Sequence, residues 1–103
     1  MPLIDIGVAA DFPEGCGVAI VVGGRRLAVF RTGGALYAVD NLCPHRRFPL
    51  HDGVVAGLTI RCRTHGSCFR LDSGELVRGP ARRGIAAYRI DVVGERVVVD
   101  LPD

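Results

Sequence analysis

Cys43-Pro44-His45 and Cys62-Arg63-Thr64-His65 are the stretches that decide how this chain folds. Each short pair offers one thiol and one imidazole, and the sixteen residues 46–61 separate the two pairs. Two thiolates and two imidazoles on two loops make a ligand set that one metal centre can draw together. The same four groups would satisfy tetrahedral zinc, although zinc fingers usually pair Cys with Cys and His with His, whereas here each loop carries one of each.

Outward from these loops the chain is strand-forming. Its 14 Gly and 6 Pro fall so densely that the longest stretches free of both, 35–43 and 85–93, are nine residues each, which leaves no room for a helix of ordinary length. Runs rich in β-branched residues at 18–22, 25–31, 36–40, 58–61, 69–71, 75–78, 87–93 and 96–101 predict strands. Gly23-Gly24, Gly33-Gly34, Ser73-Gly74 and Gly94-Glu95 each join two of these runs, and glycine supplies the positive φ of tight hairpins. In the last hairpin Tyr88, Ile90 and Val92 alternate with polar residues, as do Val97, Val99 and Leu101, so each strand is expected to bury one face. The pattern predicts an all-β chain: a β-sandwich or small barrel with a loop-rich, metal-stapled subdomain inserted at about 41–83, the whole of 1–103 forming one domain.

Composition narrows the function. The net charge of +2 argues against nucleic acid as the main partner. Residues 43–83 hold eight Arg against Asp52, Asp72 and Glu75, a net of +5 that the rest of the chain offsets with −3. That basic segment is either a solvated face or a docking surface for an acidic partner. No run of eighteen apolar residues and no basic-then-apolar leader is present, so neither membrane nor export is expected, and the default location is cytoplasmic. Cys16 and Cys68 follow no disulfide or ligand spacing and read as thiols. His51, before the Asp52-Gly53 turn, reads as a solvent-facing residue.

The ligand pairs, Pro44, Pro49-Leu50-x-Asp52-Gly53, His65-Gly66, Phe69, Ser73-Gly74 and Gly79-Pro80-Ala81 together resemble the Rieske 2Fe-2S proteins, above all the ferredoxins of bacterial ring-hydroxylating oxygenase systems, over residues 35–81. The resemblance implies one 2Fe-2S cluster, with Cys43 and Cys62 on one iron and His45 and His65 on the other. Two neutral imidazoles in place of two thiolates ease reduction, which is why such centres span about −150 to +300 mV against about −400 mV for all-Cys clusters. It further implies a carrier that catalyses nothing alone and moves electrons from a flavin-dependent ferredoxin reductase to a terminal oxygenase. The His edges would be the electron exit, and the Pro80 loop a cover over the cluster.

High-potential relatives use a Ser in the place of Ser67 to hydrogen-bond a bridging sulfide; the alternative is a hydroxyl bonding its own turn. Phe69 replaces a Tyr donor of those relatives, and Phe48 with Thr64 replace their loop disulfide. A small subunit of an assimilatory nitrite reductase is the second family-level expectation. A zinc-stapled interaction module is the third.

Overall fold

The computed structural model describes residues 3–44, 48–64 and 66–101. Among them lie β1 (Leu3–Val8), a 3-10 turn (Ala9–Asp11), β2 (Gly17–Val22), β3 (Arg25–Thr32), β4 (Ala35–Asp40), β5 (Val54–Ala56), β6 (Thr59–Arg61), β7 (Cys68–Arg70), β8 (Leu76–Arg78), β9 (Ala87–Tyr88), β10 (Ile90–Val93) and β11 (Arg96–Asp100). They form three sheets in the orders β1-β11-β10, β2-β3-β4-β9 and β5-β6-β7-β8.

Strand β3 organises the molecule. Leu27, Ala28, Val29 and Phe30 are all fully buried, which requires protein on both faces of the strand. Its period of two sends Ala28 and Phe30 into one core and Leu27 and Val29 into another, and β4 divides Val39 from Ala38 in the same way. The middle sheet is thus a wall between two cores. On one side it packs with Val97, Val99 and Leu101, in or just after β11 of the β1-β11-β10 sheet that forms the base, and on the other with Ile60, Phe69, Leu71, Cys43 and Cys62. Burying Phe30 or Phe69 contributes roughly 1.5–3 kcal/mol each, so the half of the chain that carries the thiols has a core of its own.

Strands β4 and β9 pair directly, Ala38 opposite Tyr88 and Val39 opposite Ala87. Everything between them, including the whole third sheet, is an excursion from the middle sheet. The four glycine turns read from the sequence join β2 to β3, β3 to β4, β7 to β8 and β10 to β11.

Three features depart from the sequence expectation. β1 and β5 were not foreseen: β1 carries a bulge between Asp5 and Gly7 that breaks its alternation, and β5 is only three residues wedged between Gly53 and Gly57. The run 87–93 is not one strand, because Tyr88 pairs in the middle sheet while Ile90 pairs with Val99 in the base sheet. Val92, expected inside, is 49% exposed, since β10 is the edge of its sheet and its far end runs past the core.

Candidate metal centre

Two loops of the same closure carry the thiols. The Cys43 N–H donates to the Phe48 carbonyl and the Cys62 N–H to the Ser67 carbonyl, both at 2.8 Å. Each cysteine therefore shuts a loop against the fifth residue after it. The second loop is the turn of the β6–β7 hairpin, where Arg61 opposes Cys68 and Gly66 turns the chain at φ +79°. Cys43 and Cys62 are almost fully buried in the core that contains Phe30, Leu50, Ile60 and Phe69. His45, Arg46, Arg47 and His65 lie outside the described residues, so the geometry speaks to the thiol half of the expected ligand set.

The first loop has a brace that sequence reading missed. Buried Asn41 accepts the Leu50 and His51 N–H groups on Oδ1 at 2.8 and 2.7 Å, which closes 41–51 from outside. With the oxygen occupied by two donors, its amide nitrogen faces His51 Nδ1 at 3.0 Å, and that ring nitrogen accepts. His51 is therefore half-buried and engaged, not solvent-facing. An Asn two residues before Cys43 is the only signal the sequence held. Beneath this loop, a Cβ on Gly17 would run into the His51 carbonyl and the Phe30 ring, so only glycine lets β2 start there.

Ser67 is fully buried, and its Oγ accepts the Ala81 N–H at 2.9 Å. This contact comes in addition to the two alternatives raised from the sequence: as an acceptor, the hydroxyl ties the second loop to the proline loop. Pro80 and Pro44 line one depression of about 380 Å³ with Ala81, Arg82 and Arg83, so the proline loop abuts the first thiol loop. Phe69 is fully buried and offers no donor, as expected. Exposed Phe48 and Thr64 leave the loops without a disulfide between them. Cys68 Sγ lies 3.5 Å from the Gly66 carbonyl, and Cys16 is exposed.

The electrostatics are local. Tyr88 donates to Asp40 Oδ1 at 2.5 Å and accepts from Arg25 at 3.2 Å. Burial, and then the Asp40 carboxylate, hold its phenol above the ordinary range, so it remains a donor. Asp40 ends β4, three residues before Cys43.

These residues fit an iron–sulfur group. Two thiols from separate loops enter one apolar core, where unpaired thiolates would be costly and a cluster that spreads their charge is not. The loops that bear them are closed by backbone amides, which positions both cysteines whatever they bind.

The Rieske 2Fe-2S domain family matches residues 3–89. The ferredoxin component of the naphthalene 1,2-dioxygenase system of Pseudomonas aeruginosa is 34% identical over 98 residues, 95% of this chain and 94% of that protein. Among solved structures, the ferredoxin of carbazole 1,9a-dioxygenase from Nocardioides aromaticivorans superposes with a TM-score of 0.90 at 28% identity, covering 96% of this chain and 97% of the other. A carbazole 1,9a-dioxygenase ferredoxin solved in complex with its reduced oxygenase gives 0.86 at 28% identity, over 94% and 91%. A nitrite reductase small subunit from Mycobacterium tuberculosis shares the fold, with a TM-score of 0.87 at 23% identity over 95% and 93%. The match extends well beyond 35–81, and the zinc staple falls with it: the cofactor is one 2Fe-2S cluster.

Proposed function

The chain belongs to the Rieske 2Fe-2S family, and on that premise we propose that it is the electron-carrying ferredoxin of a ring-hydroxylating dioxygenase system, fed by a flavin-dependent ferredoxin reductase and discharging to a terminal oxygenase. The observation that carries this is end-to-end similarity to a dioxygenase ferredoxin, combined with Cys43 and Cys62 buried in one core. Relatives that serve naphthalene and carbazole systems share this fold. A carrier of this kind recognises its redox partners and never meets the aromatic substrate.

The bound cluster supplies a one-electron couple within about −150 to +300 mV. The chain does the rest. Cys43 and Cys62 would hold one iron and His45 and His65 the other, with the single domain 1–103 presenting them through its cluster-binding part at about 41–83. The Ser67 hydroxyl accepts the Ala81 N–H and would have its own proton to offer the cluster, and the Pro80 loop it tethers would shield that side of the site. Catalysis is left to the partner: an oxygenase centre needs two further His and a carboxylate, and His51 is engaged by Asn41. No helix of the described residues is long and apolar enough to cross a membrane. We place the protein in the cytoplasm, where exposed Cys16 stays a thiol.

Purified protein should contain two irons and two acid-labile sulfides per chain and, once reduced, give a Rieske-type electron paramagnetic resonance signal. One zinc with no sulfide would sink the proposal. Ser67→Ala should lower the reduction potential, because a lost hydrogen bond of about 1 kcal/mol corresponds to about 40 mV for one electron. Protein-film voltammetry reads that shift, and an unmoved potential would leave Ser67 as a tether for the proline loop alone.

A further inference from the structure

Three depressions adjoin one another through shared lining residues. The first, about 460 Å³, lies against Gly24, Arg25 and Arg26 and shares Asp40 and Leu42 with the second. The second, about 450 Å³, has Cys43 on its floor and shares Pro44 and Arg83 with the third, which reaches Arg82 and Pro80. The result is a groove running from the β2–β3 turn to the proline loop, past a buried thiol of the metal centre.

Its charge is one-sided. Arg25 and Arg26 stand at one end and Arg82 and Arg83 at the other, and among the described residues none of the four is in an ion pair. Among the described residues the only carboxylate lining it is Asp40, already accepting from Tyr88. Elsewhere Arg70, Arg89 and Arg96 each have an acidic partner within the chain. The basic surface is therefore not the segment 43–83 alone. Folding brings Arg25 and Arg26, remote in sequence, into line with Arg82 and Arg83.

We propose that this groove docks an acidic, extended polypeptide segment of the redox partner, whose carboxylates pair with the arginines at both ends while its backbone passes beside Cys43. The inference rests on the electron-carrier function and names the chemistry of the partner. Guanidinium forks suit carboxylates, and four of them against one buried-facing acid favour an anionic guest over any other peptide.

The probe is a fluorescein-labelled eight-residue peptide of alternating Glu and Gly, titrated with iron-loaded protein at low ionic strength and read by anisotropy. Arg25→Glu with Arg83→Glu should weaken binding about tenfold or more, whereas Arg61→Glu with Arg78→Glu, the same change in net charge at exposed arginines outside the groove, should change it less than about twofold. Equal weakening by both pairs, or no binding by the unaltered protein, would overturn the groove. Iron, sulfide and the reduced-state resonance signal measured on the same samples report separately on the electron-carrier function, so the two can fail independently.

Discussion

Cys62→Ala and His45→Ala should each yield a colourless protein with almost no iron, while Cys16→Ser and Cys68→Ser keep colour and iron. Each ligand closes the coordination of one iron, so losing an imidazole should do as much damage as losing a thiolate. The structure makes the thiol half of this test clean. Cys62 is held by its own N–H to the Ser67 carbonyl, a bond that alanine retains, so the loop keeps its form while its ligand disappears. Cys68 sits in β7 with its sulfur near the Gly66 carbonyl, and serine can keep that contact. Cys16 is exposed and lies before β2, in the segment that joins the base to the middle sheet. Iron content and visible absorbance check all four variants. A coloured His45→Ala protein with an unchanged spectrum would reassign the imidazole ligands.

Much of this could be read before the fold was known, for reasons that lie in how local the signals are. A hairpin is written in adjacent residues: glycine pairs at 23–24 and 33–34 turn the chain, and the strands beside them begin and end within one residue of the β-branched runs. The Cys and His pairs are likewise local. What escaped was written across the chain. Asn41 closes the first loop through residues 50 and 51, and Ser67 reaches Ala81, fourteen positions on. Neither polar side chain announces its partner in sequence. The split of 87–93 between two sheets escaped because a single alternating pattern serves both when Tyr88 and Ile90 enter the same base core. The arginine placement is the extreme case, since 25–26 and 82–83 come to border adjoining depressions only through the topology that pairs β4 with β9.

That same topology makes a single glycine the tightest point of the cluster-bearing half. Gly74 turns β7 into β8 at φ +75°, donates to the Arg70 carbonyl and accepts the Ile85 N–H, both at 2.8 Å. A Cβ there would stand inside the Ile85 carbonyl, a backbone atom that cannot swing away as a side-chain tip could. The segment from the proline loop to β9 is thus pinned twice, by Ser67 at Ala81 and by Gly74 at Ile85. Gly74→Ala should cost about 3 kcal/mol: 1–2 for a left-handed alanine and a comparable amount for displacing the packed backbone. Gly24 provides the control, having the same φ of +75° and nothing within 4 Å of a built Cβ. Gly24→Ala should therefore show the conformational cost alone. The remaining difference of about 1.5 kcal/mol corresponds to a gap of about 6–12 °C between the two melting temperatures. Circular dichroism melts of iron-loaded protein measure that gap, and bleaching of the visible bands should track the lower melt of Gly74→Ala, because the displaced backbone leads straight to the proline loop beside the first thiol loop. Equal melting temperatures would mean that 84–86 yields without cost, and that the proline loop is held from Ser67 only.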